Sequence, residues 1–147
     1  MINIHIPQSE QAKFRAWVRQ QSADTRMALK RLIVKHTSDL HRRAMRSAPV
    51  NKKIGEGPAL RSSMHMVFSS DGLGGEVFIN AKHAPYQEFG TGRFAPMGIL
   101  PGYEDYARQF KGRGIRKVNI YPRMYFFPHF ERIKKELIKD LNFMGFR

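Results

Sequence analysis

The chain has 147 residues and no cysteine, and it carries 26 Lys and Arg against 12 Asp and Glu, a formal charge of +14 at pH 7. The missing thiols exclude cysteine catalysis, thiolate metal sites and disulfides; no apolar run approaches the ~18 residues of a membrane span, and the N-terminus does not read as a signal peptide. A potential this positive selects acidic partners, either nucleic acid or an acidic protein face, and the length suits a single domain that buries roughly 70% of its unfolded surface without staples.

From Ser9 to about Arg46, the residues Phe14, Trp17, Val18, Ala28, Leu29, Leu32, Ile33, Leu40 and Ala44 recur at spacings of 3, 4 and 11. Eleven residues is close to three helical turns, so one apolar stripe runs through the polar stretch Gln20–Arg26. That predicts one long helix, with Ser22 and Asp24 as the caps available to a second helix. Unbroken, it would span on the order of 55 Å at 1.5 Å per residue, so one end would project from a domain of this size. Pro49 stops it, and Arg42, Arg43 and Arg46 near its end complement the helix dipole.

Residues 50–59 mix lysine, glycine and proline without periodicity and read as a loop. Period-two patterning then predicts a hairpin over about 60–81, with Met64, Met66 and Phe68 on its buried face, Ser70–Gly75 as the turn, and Val77 and Ile79 in the second strand. Residues 82–117 read as loop, and the glycine-rich part from Arg93, with few aliphatic residues, is expected to order only on assembly. A short strand is predicted at 118–121. Pro128 then opens a helix over about 128–144, with Phe130, Ile133, Leu137, Leu141 and Met144 on one stripe and Gly145 as its stop. The expected class is α+β: a long N-terminal helix and a C-terminal helix packed on a small antiparallel sheet, with a long loop excursion.

Few motifs suggest chemistry. Gly90-Thr91-Gly92-Arg93-Phe94-Ala95 fits the looser dinucleotide fingerprint, but no apolar strand precedes it and Pro96 removes an amide where a phosphate-binding helix would begin. Gly90 and Gly92 read instead as a tight turn that needs positive φ. The six histidines are scattered without the four-residue helical spacing of zinc ligands, and His36 reads as a hydrogen-bonded core residue. Glu88 is the only acid flanked by aromatics, and Glu104-Asp105 sits among neutral residues, so no acid–base pair stands out. No enzyme, cofactor, metal or small-molecule substrate is expected. A hydrolase using Glu88 would have that lone carboxylate as its only support. Lys111, Arg113, Arg116 and Lys117 place four cations within seven residues, with Tyr106 and Phe110 nearby, which supports a second reading as a basic nucleic-acid-binding module.

Three blocks carry a family resemblance. Ala48-Pro49-Val50 after a long helix, then Ala59-Leu60-Arg61-Ser62-Ser63 opening a strand, resembles the "APV, then G-x-L-R-x-S" segment of a phage neck-protein family. Ala84-Pro85-Tyr86-Gln87-Glu88-Phe89-Gly90-Thr91-Gly92 is similar to that family's "APY-x-x-FGTG" stretch, and Pro122-Arg123-Met124-Tyr125-Phe126-Phe127-Pro128 to its closing "RPFL-x-P" box. The likeness runs from about residue 26 to 144. It departs at Asn51–Gly57, where the family has a short Asp-Thr-Gly link, and at Arg123-Met124-Tyr125, where Arg-Pro-Phe is usual.

The resemblance is to tail-completion or head-to-tail joining proteins, often called minor tail proteins, of long-tailed bacteriophages and prophages. It implies an α+β fold without cofactor or catalytic residues, located in the virion neck and in the host cytoplasm during assembly. The implied partners are further copies of the chain in a ring, the head connector, and tail-tube or tail-terminator proteins; since such a ring encircles the DNA exit path, basic loops facing its channel make genomic DNA a further candidate. Two patches of each subunit must then meet. The candidates for that role are Tyr86, Glu88, Phe89, Gly90, Gly92, Arg93, Arg123, Tyr125, Phe126 and Phe127. Tyr86 and Phe89 would anchor the central loop, and Glu88 would pair with Arg93 or Arg123.

Overall fold

The structure is a computed structural model that describes residues 8–50, 60–94, 98–110 and 119–146. Among them are five α-helices and one two-stranded antiparallel sheet, an α+β architecture. In chain order the elements are α1 (Gln8–Arg19), α2 (Ala23–Ser47), β1 (Met64–Phe68), β2 (Gly75–Ile79), α3 (Ala84–Phe89), α4 (Glu104–Arg108) and α5 (Phe127–Phe143). Single 3-10 turns cover Leu60–Ser63 and Gly92–Phe94.

The long N-terminal helix is broken. Ser22 has extended backbone, and its Oγ accepts the Thr25 amide at 3.2 Å, which starts α2 as a new helix, with Asp24 in its first turn. The apolar phase runs through the break because residues of both helices pack into one cluster. Val18, Leu29 and Ile33 form one core with Phe14, Trp17, Leu73, Leu141 and Met144 packed against it. Phe146, just beyond α5, closes this end by meeting the Trp17 ring at 5.3 Å and the Phe14 ring at 5.5 Å.

A larger core joins Leu40, Ala44 and Ala48 at the far end of α2 to Leu60, Met64, Ile79, Ala84, Phe89, Tyr125, Phe126, Phe127 and Ile133. His36 sits on α2 between the two cores, and its buried Nε2 meets the Asp140 carboxylate of α5 at 2.8 Å, as expected of a hydrogen-bonded core histidine, while its buried Nδ1 has no hydrogen-bond partner among the described residues. α5 occupies the expected span with Pro128 in its first turn. Gly145 follows it at φ +91°, and the Phe146 amide reaches back to the Leu141 carbonyl.

The hairpin pairs Met64 with Ile79 through to Phe68 with Gly75, but its expected buried face is buried only at Met64. Met66 is 41% exposed and Phe68 39%. α2 brings short or polar side chains to the ribbon: Ser38 to the Met66 sulfur, His41 to the Met64 carbonyl, and Thr37 to Gly75. These lie against the strands without covering the outer apolar side chains. The segment from Leu60 to Ser63, expected as strand, is a 3-10 turn closed by Ser63 Oγ on the Leu60 carbonyl.

The predicted loop 82–117 contains α3 and α4, and residues 98–110 are packed within the chain. Ile99, Leu100, Tyr103, Tyr106 and Phe110 all lie against the larger core. Aromatic rings at spacings of three and four supply the burial that the missing aliphatics do not. Asn119–Tyr121 has no regular secondary structure and joins no sheet, and the rest of the predicted strand lies outside the described residues. So do most of the predicted 50–59 loop and the four cations Lys111, Arg113, Arg116 and Lys117.

Candidate assembly site

The segments 84–93 and 119–127 are brought together, and Glu88 is the centre of the junction. In α3 the residues Ala84, Pro85, Glu88 and Phe89 share one buried face, which carries the carboxylate inward with zero exposure. Its Oε2 accepts the Tyr125 amide at 2.9 Å and the Phe126 amide at 3.1 Å, and its Oε1 accepts Phe126 at 3.2 Å and Phe127 at 2.9 Å. These are the orphan donors at the start of α5, which has no side-chain cap of its own, so a carboxylate from a distant helix caps it. Burial pushes the Glu88 carboxyl up to about 7 even though the three amides, which favour the charged form, pull it down.

The expected pairing of Glu88 with Arg93 or Arg123 does not form, since the carboxylate is consumed by backbone donors and both arginines point to the surface. The Arg93 guanidinium lies over the Phe94 ring instead, at 4.7 Å. Arg123 joins the junction through its backbone, its amide donating to the Gln87 carbonyl at 2.8 Å.

Around Glu88 the two segments are stitched by main-chain amides that donate to main-chain and side-chain oxygens. The Thr91 amide donates to the Ile120 carbonyl at 2.9 Å, the Ile120 amide to Thr91 Oγ1 at 3.0 Å, and the Arg93 amide to Asn119 Oδ1 at 3.1 Å. Gly90, at φ +73°, is where the crossing is tightest: a Cβ there would stand 2.7 Å from the Ile120 carbonyl oxygen and 2.9 Å from the Pro122 nitrogen. Gly92 also has positive φ, in keeping with the predicted turn.

Phe89, Phe126, Phe127 and Tyr125 face inward. Phe89 stacks on Phe110 at 5.8 Å and meets Phe127 at 5.4 Å, while Tyr103 approaches Phe127 at 4.3 Å. The buried Tyr125 hydroxyl donates to the Ala84 carbonyl, and burial beside Glu88 raises its pKa well above the ordinary phenol value. Tyr103 donates to Glu131 at 2.6 Å, and burial, then that bond, raises its pKa likewise. Tyr86 behaves differently from Phe89, being 40% exposed with one edge against Phe110. Together with Phe94, Arg93, Arg123 and the 58% exposed Tyr121, it forms the outer surface of the junction. Glu104 and Asp105 open α4, where Glu104 accepts the Gly102 amide and Asp105 pairs with Arg108, an ordinary helix start.

Among the described residues no group of three or more His, Cys, Asp or Glu is placed to hold a metal. No protein-family model, curated protein or solved structure matches the chain. The roles of Tyr103, Tyr106 and Phe110 in the cluster escaped the sequence reading, although their helical spacing was visible. Arg61 was also missed: its guanidinium bonds the Arg46 and Ala48 carbonyls, which fastens the end of α2.

Proposed function

We propose that the chain is a structural subunit of a phage neck, completing the tail and joining it to the head connector as one member of a ring. The observation that carries this reading is the convergence of the three family-like blocks. Ala48 and Leu60 of the first, Ala84 and Phe89 of the second, and Tyr125, Phe126 and Phe127 of the third lie in one core, and Glu88 joins the second to the third. Residues far apart in sequence that resemble one family's signature therefore serve one physical purpose.

The surface supports the reading as well. A closed ring of identical subunits uses two different patches of each. One candidate is the hairpin, whose Met66, Val67 and Phe68 are exposed and whose strands have no further partner among the described residues. The other is the Tyr86, Phe94 and Tyr121 surface of the junction. Light scattering on the chain, alone and mixed with tail tubes or connectors, tests the proposal. Defined oligomers or stable co-elution are expected, and a monomer that joins neither would remove the reading.

A further inference from the structure

Half of the net positive charge lies on the first two helices. Residues 8–47 hold ten Lys and Arg against three Asp and Glu, a surplus of seven out of +14, whereas α5 is nearly balanced. Where α1 turns into α2, four of these cations meet in one cleft of about 300 Å³, lined by Arg15, Arg19, Arg26, Lys30 and, from the hairpin turn, Asp71 and Leu73 over a floor formed by Val18. All four cationic side chains are exposed, and none makes an ion pair or side-chain hydrogen bond among the described residues. Arg15 and Arg19, and again Arg26 and Lys30, are like charges one helical turn apart, an arrangement that costs a few tenths of a kcal/mol per pair. Among the described residues lining the cleft, Asp71 alone offsets this repulsion, and only in part.

We propose that this elbow cleft binds the phosphate backbone of nucleic acid, independently of base sequence and of the neck reading. Three of the four cations are arginines, whose planar fork matches phosphate oxygens two at a time. The four cations are the fully exposed residues of the lining, whereas Asp71 and Leu73 are partly buried and Val18 is buried. No aromatic side chain lines the cleft, whereas the central anchors of protein–protein hot spots are often Trp or Tyr. The nearby rings Phe14, Trp17 and Phe146 pack on one another, which leaves them engaged and assigns no base stacking to the site. Asp71 is the one opposing charge among the described residues that line the cleft. Its Oδ1 accepts the Ser69 hydroxyl and the Leu73 amide, so it shapes the turn and weakens the cleft's field.

The test is fluorescence anisotropy of a labelled 20-base-pair duplex with the full chain across 50 to 200 mM salt. Because each neutralised phosphate adds about 0.9 to the slope of log affinity against log salt, R15Q/R19Q/R26Q/K30Q is expected to lower that slope by about 3.6 while its melting curve stays cooperative. Asp71→Asn, which keeps the turn's acceptor, is expected to tighten binding several-fold. An unchanged slope in the quadruple variant, with the loss appearing instead in R113Q/R116Q/K117Q, would overturn the cleft as the site. Competition by polyglutamate as effective as by unlabelled duplex would overturn phosphate as its ligand. Neither result bears on ring assembly, which light scattering reads separately.

Discussion

At the scale of single residues, Glu88 is the clearest case of a side chain whose role follows from which face it occupies. Positions 84, 85, 88 and 89 fall on one helical face, so the spacing that buries Phe89 also buries the carboxylate. That stripe is legible in the sequence once 84–89 is recognised as helix, but the proline and the following glycines make it read as loop. The donors were not legible, because the orphan amides of Tyr125, Phe126 and Phe127 belong to an element far along the chain. The carboxyl, raised from 4.5 to about 7, keeps its proton to higher pH in the folded chain than in the unfolded one. Stability from this group is therefore fully present below about pH 4.5 and is lost as pH rises through about 7, by about 3 kcal/mol in all. His129, lowered by burial and by Arg43 and Arg132, acts in the opposite direction in this window. The expected outcome is thus a difference: urea unfolding at pH 5 and pH 8 should show Glu88→Gln lacking the fall in stability that the parent chain has. Gly90→Ala should cost about 2 kcal/mol or more in the same assay, since it combines positive φ with a backbone atom at 2.7 Å.

At the scale of elements, periodicity is a sound guide where a helix keeps one stripe inward along its length, as α5 does, with Ile133 inward and a proline in its first turn. It misled at the start of the chain, where α1 and α2 keep one phase although they are separate helices. The phase records which side faces the core, and only local chemistry at Ser22 decides whether the backbone continues. Ser22→Ala should destabilise the fold by about 1 kcal/mol in thermal melts, with little change in secondary-structure content away from the elbow. The hairpin was legible from its alternation and turn, but its exposure was not, because alternation cannot show whether a covering layer exists. Close approach at Gly75 governs how α2 meets it: a Cβ there would fall 2.1 Å from Thr37 Oγ1. Gly75→Ala is expected to cost about 1–3 kcal/mol, and the double variant with Thr37→Ala should recover part of that loss, a coupling readable by a double-mutant cycle.

At the scale of the whole molecule, the neck proposal uses Met66, Val67, Phe68, Tyr86 and Tyr121, which are among the large apolar side chains that the fold leaves outside. Replacing Met66 and Phe68 together by lysine should abolish self-association in light scattering while changing monomer stability by less than about 1 kcal/mol, because neither side chain is in a core. Retained oligomers would show that the subunits meet elsewhere. The way Glu88 fastens the third block to the second has one more consequence. Its bonds cross 37 to 39 residues, so the three amides at the start of α5 cannot open to solvent unless α3 lets go of them. Deuterium uptake at Tyr125, Phe126 and Phe127 should therefore advance in unison, at the pace of one shared opening, while the last turn of α5 near Phe143 exchanges early by fraying.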